Sequence, residues 1–489
     1  MKNFFIIITA ALIAVGCASP PKRQPPNIDV DLPAEWTVDD SIAVPVGADT
    51  TSWWTRFGSA QLNDLVDEAL SENHDIAVAV ARVDAAAAIA RIAGADLYPN
   101  VNAKFDASRR QQNIIGIPIP GAPGVIQSRS TSFGVSLDAI WEIDLWGRIR
   151  SGQAAALADV EASWADLAAI RLSIAAQSVK AWFAVIESRL QMELARQTVA
   201  SYRLSTEQVR RRYEEGVRSS LDLRLALTSL YGAEALLESR TQQFDRAKRQ
   251  LEILLGRYPA GSVNATGDLP VIADDVPSGL PSELLIRRPD LLAAERRYAG
   301  AERRVSQSRR AFFPRLSLTG STGTLSEDLK DLVDGDFSVW SIAANLTQPI
   351  FQGGRLLGNL ARSQALSDQV LAQYALAVLS AFGEVESSLF TEETLAKHES
   401  HTQRAAEQSE AAIQLAERQY NAGLVDYITV LETQRRALDS QSQLLSVRRQ
   451  RLDVRVNLHV ALGGGFDLSK EWKQFLEKQT PSGTEASVE

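Results

Sequence analysis

An internal duplication constrains this chain more than any other feature of its sequence. The stretch Tyr-Glu-Glu-Gly from Tyr213 to Gly216 leads into a helical pattern, and Tyr-Asn-Ala-Gly from Tyr420 to Gly423 does the same 207 residues later. A repeat of this length predicts two copies of one structural unit. Each element predicted in one half should therefore have a counterpart in the other.

The separation between matching landmarks changes along the chain. The Leu-Gly pairs that end at Gly256 and Gly463 keep the spacing of 207 residues, whereas Pro99 and Pro314 are 215 residues apart. One copy is therefore predicted to carry an insertion of eight residues between these landmarks.

The duplication predicts an order of segments. These are a signal peptide at 1–16, a lipidated N-terminal linker at 17–58, repeat 1 at 59–256 with a β-hairpin at about 100–143, an inter-repeat linker at 257–282, repeat 2 at 283–463 with a β-hairpin at about 315–349, and a polar C-terminal tail at 464–489. The first linker is rich in Pro, Asp and Ser with scattered Trp, which indicates extended chain.

The N-terminal residues have the pattern of a secretory signal. Lys2 precedes an apolar run from Phe4 to Val15, and such a charged start with a short apolar core predicts export from the cytoplasm. Cys17 is the only cysteine, which excludes an intrachain disulfide. Its position resembles the lipobox of bacterial lipoproteins, in which this cysteine carries diacylglycerol and a fatty acyl chain such as palmitate. In that family, a residue other than Asp directly after the cysteine implies sorting to the outer membrane, and this chain has Ala18 there. A chance cysteine in an ordinary signal peptide is the alternative.

Strands, rather than helices, are predicted to cross the membrane. No second run of about 18 apolar residues follows the signal, since Arg171 and Lys180 interrupt the most apolar helical stretch. Four other stretches alternate between apolar and polar residues, as strands do, and form one hairpin in each repeat. Their apolar positions are Val101, Ala103, Phe105 and Ala107, then Phe133, Val135, Leu137, Ala139 and Trp141, then Leu316, Leu318 and Gly320, and finally Trp340, Ile342, Ala344 and Leu346.

Long helices occupy most of the remaining sequence. No proline occurs from Arg148 to about Glu215, and the second repeat has a matching stretch from Leu356 to about Ala422. At a rise of 1.5 Å per residue, each helix would be roughly 100 Å long. After the first turn, apolar residues recur at every seventh position, which is typical of a coiled-coil seam. These positions are Leu223, Leu230, Leu237, Phe244 and Leu251. An amphipathic helix on a globular core is the alternative, but it does not account for helices of this length.

Two hairpins give one chain only four strands. An open sheet of four strands has two unpaired edges, and unpaired backbone groups in hydrocarbon are so unfavourable that membrane strands close into barrels. A water-filled barrel needs more than about eight strands. We therefore expect a homotrimer that shares one barrel, with the apolar strand faces toward lipid. A small soluble sheet on a helical bundle is the alternative, and it would leave the apolar face uncovered.

These features together resemble the TolC-like outer-membrane factors, and among them the OprM-type efflux lipoproteins. The resemblance rests on the cysteine at 17, the duplication, Arg287-Arg288-Pro289-Asp290-Leu291, Phe313-Pro314, Gln348-Pro349-Ile350-Phe351, Gly353-Gly354-Arg355 and the stretch from Tyr420 to Gln434. It implies an all-α-dominated membrane protein, in which a long coiled-coil helical barrel continues a transmembrane β-barrel of twelve strands in a homotrimer. It also implies a lipid-anchored exit duct in the bacterial outer membrane, with most of the chain in the periplasm. Such a duct passively conducts small molecules from a periplasmic adaptor and an inner-membrane transporter, as in multidrug resistance.

The resemblance implies a constriction at the periplasmic turns. The matching residues are Ile428, Glu432 and Arg435, with Tyr420 nearby. Spacings of four and three place the first three residues on one helical face. Repeated around a three-fold axis, they would form an apolar ring and a charged ring, which can restrict the passage of ions. An exposed Glu-Arg pair within one helix, worth well under about 1 kcal/mol, is the alternative.

The first repeat differs at the corresponding positions. These are Leu221, Leu225 and Thr228, so the charged gate is predicted in repeat 2 only. The helices of repeat 2 would then move to open the channel, while those of repeat 1 form a frame that faces the adaptor. The adaptor-facing tip is predicted at Gly216, Leu221 and Gly423.

Composition and motifs argue against other functions. The formal net charge of −9 disfavours a nucleic-acid partner. The chain lacks a Gly-rich phosphate loop that ends in Lys-Ser or Lys-Thr, so energy must come from a partner. His74, His398, His401 and His459 form no metal-like cluster with cysteine, and no pair of nucleophile and base is evident, so neither an enzyme nor a cofactor is predicted. A duct for type I protein secretion and a lipid-anchored periplasmic coiled-coil scaffold stay open as alternatives.

Overall fold

A computed structural model describes residues 19–22, 24–27, 52–114, 126–272 and 287–464. The helices are α1 Ala60–Glu72, α2 His74–Ala95, α3 Arg148–Glu214, α4 Ser220–Leu254, α5 Pro289–Arg310, α6 Arg355–Asn421 and α7 Tyr427–Ala461, and the strands are β1 Asn100–Ile114, β2 Ile126–Ile143, β3 Arg315–Ser326 and β4 Ser338–Thr347. Short 3-10 helices cover Trp53–Phe57, Leu329–Val333 and Gly335–Phe337. The signal peptide, Cys17, the loop of the first hairpin and the polar tail after residue 464 lie outside the described residues.

The helices repeat in length as well as in order. α3 and α6 each have 67 residues, α4 and α7 each have 35, and α2 and α5 each have 22. Arg148 and Arg355, which begin the two longest helices, are 207 residues apart, although Pro99 and Pro314 are 215 residues apart. The structure thus confirms the duplication, and the net excess of eight residues lies between Pro99 and Arg148, in the stretch that contains the first hairpin.

The four strands form one antiparallel sheet in chain order. Phe105 lies opposite Val135, and Trp141 lies opposite Leu318, so the predicted apolar positions share one face. Side chains on this face are open to solvent: Phe105 is 60% exposed and Trp340 is 75% exposed. β1 and β4 are the two edges of the sheet. An uncovered apolar face and two open edges are what a shared barrel requires of a single chain.

Two helices are more apolar than the sequence analysis predicted. α3 and α6 each contain an 18-residue stretch that is apolar enough to cross a membrane by length and composition. The sequence prediction concerned an uninterrupted apolar run, whereas these stretches qualify by their mean hydropathy. Half of the stretch in α3 is buried within the structure, and the core helix of a soluble protein has the same composition.

The chain divides into two compact units, and each takes segments from both repeats. One comprises the described residues of Met1–Pro26, Val83–Ala162 and Ala294–Tyr374, and the other those of Asn27–Arg82, Ser163–Ala293 and Ala375–Glu489. The first unit contains the sheet, and the second contains both turns. Within the second unit, Leu230 and Leu251 of the seven-residue row are buried, as a coiled-coil seam requires.

The end of the first linker is packed rather than extended. Trp53 is 1% exposed, and its ring stacks on that of His459 with the centroids 5.1 Å apart. Trp54 beside it is also buried. The sequence interpretation of extended chain is therefore wrong for residues 53–57, because burial of two large aromatic rings stabilises a folded turn there.

Each returning helix ends at a joint with the helix that leads into the strands. At joint 1, Asn73 Nδ2 donates a hydrogen bond of 2.8 Å to the carbonyl of Leu254, the last residue of α4. At joint 2, Arg288 Nη1 donates one of 3.2 Å to the carbonyl of Ala461, the last residue of α7. Both joints therefore satisfy a carbonyl that the end of a helix leaves without a partner.

Candidate functional site

The two predicted turns have the same backbone conformation. Gly216 and Gly423 have φ values of 73° and 75°, a region that side chains with a Cβ rarely adopt. The N–H of Gly216 donates to the carbonyl of Tyr213 at 2.9 Å, and that of Gly423 donates to Tyr420 at 3.0 Å. A glycine in this conformation commonly ends an α-helix. The predicted tip glycines thus end α3 and α6.

The tyrosines of the two turns have different surroundings. Tyr420 is 4% exposed, whereas Tyr213 is 42% exposed. The guanidinium groups of Arg212 and Arg218 lie 5.1 Å and 4.7 Å from the centre of the Tyr420 ring, within the range of a cation-π interaction. The centre of the Tyr427 ring is 5.4 Å from that of Tyr420. Two arginines of the first turn therefore hold the tyrosine of the second.

A buried cluster beneath the turns joins helices of both repeats. Its buried members are Val209, Ala226, Ala416, Tyr420, Tyr427 and Val430. These residues belong to α3, α4, α6 and α7, so the four helices share one core at this end of the second unit. Burial, and then the neighbouring Tyr420, raise the pKa of Tyr427, which therefore stays protonated at neutral pH.

The predicted gate residues lie on the exposed side of α7. Ile428 is 63% exposed, and Arg435 Nη2 contacts Glu432 Oε2 at 3.0 Å. Arg436 Nε also donates a hydrogen bond of 2.9 Å to Glu432, and a carboxylate oxygen of Asp439 lies 3.8 Å from Arg435 Nη1. Hydrogen bonds from Arg436 and Arg435 hold the pKa of Glu432 below its ordinary value. The carboxylate is thus ionised and already paired within its own helix.

The first repeat lacks a charged pair at the matching positions. Leu221 is 64% exposed, and Leu225 is partly buried. Thr228 donates its hydroxyl to the carbonyl of Arg224 in the preceding turn, at 2.9 Å. The difference predicted between the two turns is therefore present, although Arg436 and the Tyr420 contacts were not predicted.

A polar contact connects the long helix of repeat 1 to the returning helix of repeat 2. Gln191 Nε2 donates to the carbonyl of Ser442 at 2.9 Å, and the Ser442 hydroxyl donates back to Gln191 Oε1 at 2.8 Å. The contact between α3 and α4 combines a buried apolar cluster of Val199, Tyr202, Leu230 and Ala233 with a hydrogen bond of 3.2 Å from Thr206 to the carbonyl of Ala226. α7 is thus held to α3 partly by hydrogen bonds, which require a defined register.

Within the described ranges, no group of three or more His, Cys, Asp or Glu side chains could hold a metal ion. His398 and His401 are exposed on α6, and His459 is buried against Trp53. The exposed and buried histidines therefore do not come together as one ligand set.

Comparison with known proteins identifies the family. The family model for outer membrane efflux proteins matches residues 65–257 and 280–464, which cover both repeats. The chain is an outer membrane efflux protein. As a member of this family it is a channel protein and not an enzyme, and it belongs in the outer membrane.

Individual relatives of this outer membrane efflux protein cover almost its whole length. It is 33% identical to the outer membrane protein OprJ of Pseudomonas aeruginosa, over 94% of this chain and 96% of the relative. It is 32% identical to the pyoverdine export outer membrane protein OpmQ of Pseudomonas putida, over 95% and 98%.

Solved channels share the fold of this outer membrane efflux protein. The outer-membrane channel OprN has a TM-score of 0.82 at 28% identity and covers 92% of this chain and 99% of its own. The CmeC outer membrane channel of Campylobacter jejuni has a TM-score of 0.83 at 25% identity, over 92% and 97%. The predicted fold class and the predicted function, the outer-membrane channel of an efflux system, are therefore confirmed.

Proposed function

We propose that this efflux channel is gated by the turn after Tyr420 and works as a trimer that shares one barrel of twelve strands. The observation that supports the gate is the ion pair between Glu432 and Arg435 on an exposed face of α7. Repeat 1 has no charged pair at the equivalent positions. The observation that carries the trimer is the open sheet with its uncovered apolar face. In a single copy of the chain, neither the gate face of α7 nor the apolar face of the sheet is covered.

The gate would consist of two rings around the three-fold axis. Ile428 would form an apolar ring, and Glu432 with Arg435 would form a charged ring one helical turn away. Because the charged pair is exposed, it contributes little to the stability of a single chain. Its function would come from the trimer, where an ionised carboxylate faces arginines of neighbouring copies and a docking partner can displace these contacts.

Single-channel conductance in planar bilayers tests the gate. The double variant Glu432→Ala, Arg435→Ala is expected to conduct at least about tenfold more than the closed parent, because both charges of the ring are gone. The matched control is Leu225→Ala, Thr228→Ala, at the equivalent positions of repeat 1, and it should stay closed. A gate variant that conducts no more than the parent would refute the gate.

The proposed partners are a periplasmic adaptor and an inner-membrane transporter. We place the adaptor at the tip that includes Gly216, Leu221 and Gly423. Leu221 is 64% exposed and Leu424 beside the second glycine is 75% exposed, so this tip offers apolar contact area. Chemical cross-linking followed by mass spectrometry should recover an adaptor linked to this tip. Recovery of links only to the sheet would contradict this placement.

The proposed cargo is a range of small molecules, as in multidrug efflux. Relatives are named for the export of pyoverdine, for toluene efflux and for antibiotic efflux, which are chemically unrelated substrates. A passive duct accounts for this range if the transporter selects the cargo. Type I protein secretion is the alternative cargo class, and a scaffold without a pore predicts no conductance at all in the bilayer measurement.

The lipid anchor is also a proposal. Cys17 would follow the cleaved signal peptide 1–16 and carry diacylglycerol and an acyl chain, and the segment boundaries given above up to the tail 464–489 belong to the same proposal. Labelling of cells with an alkyne analogue of palmitate should mark the parent and not the Cys17→Ser variant. An unlabelled parent would refute acylation.

A further inference from the structure

A fully buried arginine lies in the first compact unit, remote in sequence from both turns. Arg296 of α5 has a side chain that is 0% exposed. Its Nη1 contacts Glu161 Oε2 of α3 at 3.0 Å, and its Nε and Nη2 contact the two carboxylate oxygens of Glu295. Both carboxylates are buried too, at 5% and 8% exposure. Burial alone would lower the pKa of Arg296, but hydrogen bonds and charge from Glu295 and Glu161 raise it above the ordinary value.

The remaining donors of Arg296 bind the main chain near the N-terminus. Nη1 donates to the carbonyl of Pro21 at 2.8 Å, and Nη2 donates to the carbonyl of Lys22 at 3.3 Å. An arginine has five N–H donors, and these two bonds with the three to the carboxylates satisfy all of them. The carbonyls of Pro21 and Lys22 are therefore part of the acceptor set that a buried guanidinium needs.

The carboxylate beside the arginine adds a third main-chain contact. The N–H of Gln24 donates to Glu295 Oε1 at 3.4 Å. Residues 19–22 and 24–26, which we call the N-terminal segment, also line a polar cleft of about 1270 Å³ together with residues of α3, α5 and α6. The segment is thus seated against three helices of its own unit.

The composition of the N-terminal segment favours this seating. Residues 20, 21, 25 and 26 are prolines, which restrict φ and so reduce the conformational entropy that the segment loses when it docks. Pro21 has no N–H, so its carbonyl is the main-chain group it can offer. Recognition of main-chain atoms makes the seat insensitive to the side chain of Lys22.

We propose that Arg296, with Glu161 and Glu295, is the binding site for the N-terminal segment and fixes the point where the N-terminus leaves the helices. Its consequence for the anchor rests on the proposed acylation of Cys17. Pro21 is the fourth residue after Cys17, so an acyl chain on Cys17 would be tethered within roughly 14 Å of the Arg296 contacts.

Trypsin gives a direct readout, because Lys22 belongs to the segment, Arg23 follows it in the sequence, and neither precedes proline. In purified full-length protein, docking should slow cleavage after these residues at least about tenfold relative to a synthetic peptide of residues 18–27, since cleavage needs the undocked state. Mass spectrometry of the new N-terminus identifies the cut. A parent protein that is cut as fast as the peptide would overturn the proposal without any variant.

The decisive variant removes the whole charged group at once. Glu161→Gln, Glu295→Gln and Arg296→Met remove the three charges together, whereas Arg296→Met alone would leave both buried carboxylates without the guanidinium. Cleavage in the triple variant should rise toward the rate of the peptide, at least about tenfold above the parent. Arg297→Met, the same substitution on the exposed neighbour, should leave the rate unchanged. A triple variant cut at the parent rate, with unchanged far-UV circular dichroism, would refute docking by Arg296.

The proposed acylation of Cys17 and the proposed docking at Arg296 can be tested independently of each other. In Cys17→Ser, which removes the acceptor for lipid, the segment should stay as protected from trypsin as in the parent. Loss of that protection would show that lipid, rather than Arg296, holds the segment, and would overturn the inference.

Discussion

Joints 1 and 2 occupy equivalent places in the two repeats and solve the same problem with different chemistry. At joint 1 the neutral Asn73 binds the end of α4, and its Oδ1 also accepts the N–H of Asp75 at 2.8 Å. At joint 2 the charged Arg288 binds the end of α7, and it also contacts Glu384 at 2.7 Å and Asp290 at 2.8 Å. The comparison shows that the geometry of the joint persisted after the duplication while its side-chain chemistry diverged.

The backbone of the two joints has diverged much less. Gly256 and Gly463 have φ values of 71° and 89°. A Cβ on Gly256 would lie 2.6 Å from the carbonyl oxygen of Glu72, and one on Gly463 would lie 2.6 Å from that of Arg287. Both positions therefore require glycine for the same two reasons, the conformation and the close approach of another backbone.

The strongest destabilisation is expected from a change in this shared backbone. Gly256→Ala and Gly463→Ala should each lower the free energy of unfolding by about 4 kcal/mol, since the strained φ and the overlap with a carbonyl both contribute. Urea unfolding of the detergent-solubilised protein, followed by tryptophan fluorescence, measures the loss.

The control for the shared backbone is Gly423→Ala. Gly423 has φ 75°, but a Cβ added there would have no other atom within 4 Å, so only the conformational cost of about 1 kcal/mol applies. Equal losses at Gly256 and Gly463, well above that of Gly423, are expected. A joint glycine that tolerates alanine as well as Gly423 does would show that the two joints do not share this backbone requirement.

A smaller loss of stability is expected when the side chain at either joint, Arg288 or Asn73, is removed. Arg288→Ala should lower the free energy of unfolding by about 3 kcal/mol and Asn73→Ala by about 2 kcal/mol, because each leaves a helix-end carbonyl without its donor and Arg288 loses charged bonds as well. The carboxylates of Asp290 and Glu384 are about half exposed, which limits the additional loss. The same urea titration measures both.

The substitution Arg288→Asn refines the test of the two side chains. It places the joint 1 residue at joint 2, where a neutral donor should recover part of the loss seen with alanine. If Arg288→Asn is as destabilising as Arg288→Ala, the two joints do not share the capping function that their positions suggest.

The long elements could be predicted closely from sequence. The absence of proline and the helical composition placed the first long helix from Arg148 to about Glu215, and α3 ends at Glu214. Period-two alternation placed the strands and their shared apolar face. Both signals are local, because each residue reports its own helix or strand face. The packed turn at Trp53 was missed because its partner, His459, is about four hundred residues away in sequence.

The candidate site could be predicted only in part for the same reason. The spacing of Glu432 and Arg435 on one helix predicts their contact, and the structure has it. The burial of Tyr420 beneath Arg212 and Arg218 depends on how two turns from different repeats meet. The identical Tyr and Gly of the two turns gave no sign that one tyrosine would be buried and the other exposed.

A third pair of equivalent positions, 252 and 459, differs in charge. Glu252 is fully buried; burial opposes its ionisation, but bonds from Gly261, Ser262 and Val263 hold its pKa below the ordinary value. Burial, with smaller contributions from Arg56 and Arg455, lowers the pKa of His459 to about 3. The one group is thus held as an anion and the other as a neutral ring.

An effect on stability no larger than that of Asn73→Ala follows from the protonation of these two groups. Unfolded His459 binds a proton near pH 6.5 and folded His459 only near pH 3, so its contribution is complete above pH 6.5 and declines as the pH falls. Between pH 6.5 and pH 5 the decline should be about 2 kcal/mol. The depressed pKa of Glu252 affects stability only at lower pH, below the ordinary value of 4.5.

Urea titrations at pH 7 and pH 5 should therefore show a smaller pH dependence of the free energy of unfolding for His459→Gln than for the parent, and an unchanged one for Glu252→Gln. If His459→Gln keeps the full dependence of the parent, the acid sensitivity in this range belongs to other groups, and the divergence at these positions has no consequence for stability near neutral pH.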